Sequence, residues 1–218
     1  MLEIIAMITM LIDHIGLIFF PETPYLRYIG RIAFPIYVYG LTQGYRYTSN
    51  YKKYMVRLLS IALLSQIPYS LAFVTLRLNV VFLLLFGLIA LWILDHKKWY
   101  ISLPLVLLLT FLSHYCSYGY YGMLLILIYR YGKPFAVVTL HLILNLIVVY
   151  LLASWGQFQL YSILGTLIIL VAANHRKIKV HRTFYRYFYP AHLFLLFVLE
   201  FLRYGDGYTR AVVEVFIK

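Results

Sequence analysis

The chain has 218 residues, of which 64% are hydrophobic and only 12% are charged, and its mean hydropathy is +0.85. Soluble domains carry about 45–50% apolar and about 25% charged residues, so this composition excludes a soluble enzyme, a disulfide-stabilised secreted domain and a disordered tail. The formal net charge of +12 gives no case for nucleic acid, because the basic residues lie between apolar runs, as in membrane proteins. We therefore expect an all-α integral membrane protein.

Apolar runs, taken in chain order, predict about nine transmembrane helices, within a range of eight to ten. A span needs about 20 mostly apolar residues, so the runs over 99–129 and 134–174 are each too long for one span. Polar and glycine-containing breaks at 113–122 and 154–157 divide them. The short loops indicate that residues 1–218 form one transmembrane helical domain with no separate soluble domain. The predicted spans are 3–20, 27–45, 55–76, 78–95, 99–114, 119–131, 134–153, 158–174 and 188–203.

Lysine and arginine predict the orientation of these spans. Thirteen of the 19 basic residues lie in the loops after spans 2, 4, 6 and 8, and the other six lie on the opposite side. The positive-inside rule then places those loops and the N-terminus in the cytoplasm. The tail after Gly205 alternates apolar and charged residues, so we expect it to lie at the interface or to re-enter the membrane.

The strongest functional signal lies in the first hairpin, where charged and titratable residues interrupt apolar spans. Asp13 and His14 lie about 10 Å below the outer end of span 1, and Arg31 lies about 9 Å below the outer end of span 2. Arg27 is one turn from Arg31 on the same face. An ion pair between Asp13 and Arg31 would neutralise two buried charges and hold the hairpin together. It does not account for His14, which points about 100° away around the helix and is a candidate general base.

Three further polar residues lie within predicted spans. His141 and Asn145 share one face of span 7, a spacing compatible with an interhelical hydrogen-bonding pair or with a functional pair. His192 follows a break at Pro190, just inside the cytoplasmic end of span 9. The spacing of histidines and carboxylates matches no metal-binding motif, so we expect no metal. The sequence also contains no glycine-rich phosphate loop.

Two segments of the first hairpin resemble the opening of the TraX family. They are 8–16 (Ile-Thr-Met-Leu-Ile-Asp-His-Ile-Gly) and 26–35 (Leu-Arg-Tyr-Ile-Gly-Arg-Ile-Ala-Phe-Pro). Weaker matches continue along most of the chain, at 65–69 (Ser-Gln-Ile-Pro-Tyr), 78–80 (Leu-Asn-Val), 118–122 (Tyr-Gly-Tyr-Tyr-Gly) and 188–193 (Phe-Tyr-Pro-Ala-His-Leu). One departure is Cys116-Ser117, where the family pattern leads us to expect an acidic residue.

The resemblance implies a polytopic membrane acyltransferase of a bacterial inner or plasma membrane. Acetyl-CoA, or another acyl-CoA, is then expected as the donor from the cytoplasmic side, and the acceptor is an amine or hydroxyl of a peptide, glycan or small molecule. Membrane lipids are the expected surroundings, and a homo-oligomer is left open. The name member of the family acetylates the N-terminus of pilin, but pilin is not assumed as the acceptor here.

These expectations assign the site residues. His14 and Asp13 are the predicted catalytic residues, with Asp13 or Arg31 setting the protonation and orientation of His14. The predicted residues for binding the acyl-CoA or the acceptor are Arg27, Arg31, Gln66, Asn79, His141, Asn145, His192, Lys52, Lys53 and Arg57.

Two other classes of function remain open from the sequence. A proton-coupled transporter or flippase would use the same buried charged residues as a pathway. A non-catalytic assembly or immunity partner would use them only to hold helices together.

Overall fold

The computed structural model describes residues 1–152, 157–172 and 181–216, and these ranges contain helices and no β-strand. The helices are α1 (Leu2–Phe19), α2 (Pro24–Gly30), α3 (Ala33–Tyr47), α4 (Tyr51–Ala72), α5 (Val80–His96), α6 (Trp99–Leu112), α7 (Gly119–Tyr131), α8 (Pro134–Leu151), α9 (Ile163–Ala172), α10 (Arg182–Tyr204) and α11 (Asp206–Phe216). Single 3₁₀ turns lie at Ser113–Tyr115 and Leu160–Ser162. The predicted all-α class is confirmed.

Three of these helices, α1, α4 and α8, are long and apolar enough to cross a membrane. Shorter apolar helices cover Val80–His96, Trp99–Tyr115 and Gln157–Ala172. Large apolar side chains face outward on α6 and α8, as lipid-facing helices require. The protein is therefore a helical membrane protein, while the count of nine spans and the cytoplasmic N-terminus stay predictions.

The second predicted span, 27–45, is wrong as one helix. The chain forms two helices, α2 and α3, which are separated by Arg31 and Ile32. Pro35 explains the break, because proline has no N–H to bond the carbonyl of Arg31 and suits the first turn of a new helix. The break places Arg31 at the end of α2, next to α1.

Helix α10 also begins earlier than predicted, at Arg182 rather than at residue 188. His192 therefore lies ten residues, about 15 Å, into this helix, while its depth in the membrane stays a prediction. Pro190 does not break α10 but lies inside it. The residues after Arg182 are already helical, so His192 lies near the middle of α10.

The packing order brings α1, α4 and α10 together around the candidate site. Helix α1 packs against α2, α3 and α10, and α4 packs against α5 and α10. The apolar core is centred on α5, whose Leu83, Leu88 and Leu91 are fully buried. Helix α9 packs against α3 and α8 on the other side.

Polar contacts hold the loops at the two ends of the bundle. At one end, Asp95 accepts hydrogen bonds from Arg130 (2.7 Å), Tyr131 (2.8 Å) and Tyr45 (3.1 Å), which joins the ends of α3, α5 and α7. At the other end, the backbone of Leu78 pairs with the segment around Cys116. The pairing of Leu78 connects the loop after α4 to the loop before α7.

The tail after Gly205 packs on the bundle. Gly205 has a φ of +48°, which glycine adopts readily, and the chain then forms α11. The hydroxyl of Tyr208 donates to the carbonyl of Leu71 on α4 at 2.7 Å. The tail is therefore attached to the end of α4.

A substitution at Gly165 tests the close approach of α9 to the start of α3. A Cβ at Gly165 would lie 2.6 Å from the backbone carbonyl oxygen of Ile32, which cannot move away as a side chain can. We expect Gly165→Ala to destabilise the detergent-purified protein by about 1–3 kcal/mol in thermal unfolding. Gly40 on α3 is the matched control, because a Cβ there meets nothing within 4 Å. Gly40→Ala should be neutral or stabilising, and an equal loss in both variants would contradict this packing.

Candidate active site

Asp13 and Arg31 form the ion pair that the sequence predicts. The Nη2 of Arg31 donates to both carboxylate oxygens of Asp13, at 3.0 Å to Oδ1 and 2.9 Å to Oδ2. Both residues are buried, and Arg31 is 3% exposed. The Nη1 of Arg27 lies 3.4 Å from Oδ1 of the same carboxylate.

Gly30 lets α2 approach α1 closely enough for this pair. A Cβ at position 30 would collide with the side chain of Asp13, so any larger residue would push the carboxylate away. The contact therefore depends on a glycine immediately before Arg31.

Tyr118 holds Arg31 from the opposite side, and no role for it follows from the sequence. The Arg31 guanidinium lies 5.5 Å from the centre of the Tyr118 ring, and the same ring stacks on Phe34 at 3.9 Å. Tyr118 has a φ of +66°, which is unusual for a bulky residue. Residues with such backbone strain cluster at functional sites. The sequence feature that includes Tyr118 is the 118–122 segment, which resembles the TraX family.

His14 and His192 meet between α1 and α10. The Nδ1 of His14 lies 2.8 Å from the Nε2 of His192. The ring planes differ by 14° and the ring centres are 5.0 Å apart, as expected for a hydrogen bond in the plane of both rings. The sequence identifies both residues as candidates, and the structure brings them together.

The second nitrogen of His192 assigns the protons of this histidine pair. Nδ1 of His192 lies 2.7 Å from the carbonyl oxygen of Phe188, so it must carry a proton and donate it. The Nε2 of a neutral His192 is then an acceptor, and His14 donates to it from Nδ1. In a neutral His14 the Nε2 is then unprotonated, and it has no hydrogen-bond partner among the residues that the structure describes.

The side chains around His14 form a mostly aromatic wall. The edge of Phe73, just after α4, lies against the His14 ring with the ring centres 5.0 Å apart, and Tyr189 lies 6.4 Å away. His192 is 6% exposed, whereas His14 remains partly exposed. The carboxylate of Asp13 is directed to the arginines, so the partner that orients the His14 ring is His192 rather than Asp13 or Arg31.

Gln66 and Asn79 lie near this site and use their side chains to hold a loop. Asn79 accepts from the backbone N–H of Val81 at the start of α5 and donates to Ala62 and Gln66. Gln66 in turn donates to the carbonyl of Arg77. Their predicted contact with a ligand stays a prediction.

His141 and Asn145 belong to a separate cluster between α7, α8 and α9. His141 is fully buried and contacts Tyr121 at 2.8 Å and Ser162 at 3.0 Å. Asn145 accepts from Tyr121 at 3.0 Å and donates to Ser162 at 3.0 Å. The structure shows the interhelical hydrogen-bonding arrangement that the i, i+4 spacing allows, and it does not bring these residues to His14.

Lys52, Lys53 and Arg57 lie at the start of α4, away from the histidine pair. Arg57 precedes Phe73 by sixteen residues, about 24 Å along the helix. Lys52 and Lys53 are exposed, while Arg57 lies over the ring of Tyr54 at 4.8 Å. A ligand that touched both regions would have to extend along most of the bundle.

Comparison with known proteins gives one family and two relatives. A family model described as TraX protein matches residues 1–200. The "Probable fimbrial assembly protein FimC, serogroup H1" of Dichelobacter nodosus is 28% identical over 193 residues, covering 77% of this chain and 75% of that protein. The "Uncharacterized protein RP591" of Rickettsia prowazekii (strain Madrid E) is 37% identical over 73 residues, covering 34% of this chain and 27% of that protein. No solved structure matches the chain.

Asp13→Asn tests the buried ion pair. The change leaves the guanidinium of Arg31 without its carboxylate, and breaking a buried pair in this way costs about 3–5 kcal/mol. We expect a correspondingly lower midpoint in thermal unfolding of the purified protein. Asp95→Asn is the control, because the Asp95 side chain is 23% exposed, against 9% for Asp13, and its ion pair with Arg130 at the end of the bundle should therefore contribute less than the buried pair. Equal losses would contradict the central position of Asp13.

Proposed function

The chain belongs to the TraX family, and we propose that it is a membrane-embedded acyltransferase that moves an acetyl group from acetyl-CoA to an amine or hydroxyl. The observation that carries the proposal is the hydrogen-bonded chain from His14 through His192 to the carbonyl of Phe188, which leaves Nε2 of a neutral His14 as a base. A base of this kind, inside an apolar bundle and beside two arginines, suits proton removal from a nucleophile. The predicted resemblance to the family is confirmed.

The reaction follows from the position of this base. The His14 Nε2 takes the proton from the acceptor as its nitrogen or oxygen attacks the thioester carbonyl carbon. The tetrahedral intermediate then collapses as its carbon–sulfur bond breaks. The leaving CoA sulfur takes the proton back from His14, so the residue ends the cycle neutral.

His192 acts as a positioning residue in this scheme. When His14 gains a proton, the ring keeps its Nδ1–H directed at His192, whose Nε2 accepts it. The carbonyl of Phe188 keeps His192 in the tautomer that can accept. Asp13 acts indirectly, because its carboxylate binds Arg31 and holds it at the same level as His14.

The donor is expected to approach from the basic end of the bundle. Lys52, Lys53 and Arg57 are suited to the phosphates of CoA, and the acyl end would lie near Phe73 and His192, where α4 and α10 pack together. An extended molecule such as acetyl-CoA matches the separation between the start of α4 and Phe73, whereas a compact donor does not.

The name of the Dichelobacter nodosus relative favours a second candidate function. That protein is named as a fimbrial assembly protein, so this chain could act in fimbrial assembly without catalysis. In that case the polar pairs would only hold the helices, and transfer would not depend on His14.

His14→Ala separates these two candidates. Protein reconstituted in lipid vesicles is given acetyl-CoA with a short peptide, glucosamine or glucose as the acceptor. Release of free CoA and the mass of the acetylated product are then measured. We expect His14→Ala to lower the rate by about 10²–10⁴-fold, the usual contribution of a general base. His114→Ala is the matched control, because His114 is exposed and contacts only Tyr115 and Tyr120 among the described aromatic rings. Equal CoA release by wild type and His14→Ala protein would contradict the proposal.

His192→Gln and His192→Leu test the positioning role. The glutamine amide oxygen can still accept from Nδ1 of His14, whereas leucine cannot. We expect the glutamine variant to keep much more of the transfer rate than the leucine variant at equal folded protein. Equal rates in the two variants would remove His192 from the mechanism.

A further inference from the structure

Arg27 holds a second positive charge beside a carboxylate that Arg31 already occupies. Its guanidinium makes one contact with a carboxylate, at 3.4 Å from Asp13, and no hydrogen bond to any residue in the described ranges. A guanidinium stays charged and has five N–H donors in a planar fork. These donors are therefore available to a ligand.

The carboxylate next to Arg27 is already engaged. Both oxygens of Asp13 accept hydrogen bonds from Arg31, so its negative charge is matched by that residue. Two guanidinium groups thus share one carboxylate.

The surroundings of Arg27 make this charge costly. The Arg27 side chain is 15% exposed, in a hairpin of apolar helices. A charge at such a place in a membrane protein is costly unless it has a partner, and it marks a ligand or ion pathway.

We propose that Arg27 binds an oxyanion, a carboxylate or a phosphate group, that belongs to the acceptor molecule. This inference rests on the proposed transfer reaction and names its acceptor class. The acceptor carries its amine or hydroxyl close to an anionic group, and the fork of Arg27 holds that group by two parallel hydrogen bonds. The nucleophile then reaches Nε2 of His14, which the same hairpin carries.

The placement of the basic residues favours the acceptor over the donor as the source of the oxyanion. Lys52 and Lys53 are exposed at the far end of α4 and are suited to the donor phosphates. Arg27 instead contacts the carboxylate of Asp13, the residue before His14, where the reacting groups meet. One molecule of acetyl-CoA cannot place its phosphates at both ends of the bundle while its thioester reaches His14.

Anion binding is tested without turnover, on the full chain purified in detergent. Thermal unfolding is followed by tryptophan fluorescence at constant ionic strength while inorganic phosphate or acetate is added. We expect a saturable rise in Tm of about 2–4 °C with the preferred anion. Arg27→Gln should abolish this rise, and Arg203→Gln should keep it, because Arg203 lies over Phe19 and Tyr204. An unchanged rise in Arg27→Gln would overturn the proposal.

The unliganded variants provide a second readout. Arg27→Gln removes an unmatched charge, so its Tm without added anion should equal or exceed that of wild type. Arg31→Gln should lower the Tm, because it breaks the pair with Asp13. A large loss of Tm in Arg27→Gln would show a structural role and overturn the proposal.

A comparison of two acyl donors shows whether the oxyanion at Arg27 belongs to the acceptor or to the donor. The binding of acetyl-CoA is compared with that of S-acetylpantetheine, which has no phosphate, in wild type and Arg27→Gln protein. We expect Arg27→Gln to change the affinities for the two donors equally. A selective loss of acetyl-CoA affinity, tenfold or more, would assign Arg27 to the donor and overturn the acceptor assignment. Anion binding that persists in a protein without transfer activity would contradict the proposed function and leave the anion site standing.

Discussion

The burial of charge in an apolar helix bundle is the constraint on which the rest of the structure depends. Asp13 and Arg31 satisfy each other through two hydrogen bonds, and Gly30 allows the helices to come close enough for them. The pair joins α1 to the end of α2, so the first hairpin has one register. That register turns His14, the next residue along α1, toward α10.

The site combines three elements that are distant in the sequence. Helix α1 supplies His14, α10 supplies His192, and the loop before α7 supplies Tyr118, which lies against Arg31. The pairing of Leu78 with the segment around Cys116 ties that loop to the end of α4, beside Phe73. A base with its orienting histidine, and a carboxylate with its pair of arginines, therefore lie on neighbouring faces of α1 inside the bundle. The chain of hydrogen bonds from His14 through His192 ends at the backbone carbonyl of Phe188, which has no proton to pass on.

The sequence predicts the parts of this fold that follow from local physics. Hydropathy gives the all-α class, and helical rise places Asp13 and Arg31 at one level, as found. It does not predict the contact of His14 with His192, because residues 178 apart meet only through the packing of α1 on α10. Hydropathy also places the start of α10 too late, because the helix begins at Arg182, six residues before its apolar run. Hydropathy does not predict the break before Pro35, because residues 32–39 are apolar without interruption.

The central claim is that His14 is a neutral base with a bare Nε2, held by His192. Nitrogen-15 NMR of histidine-labelled protein in detergent tests it directly, with His14→Gln and His192→Gln variants to assign the signals. At neutral pH we predict protonated Nδ1 and unprotonated Nε2 on both residues, and a change of the His14 signals in the His192→Gln protein. A protonated Nε2 on His14, or His14 signals that do not respond to the change at His192, would contradict the account.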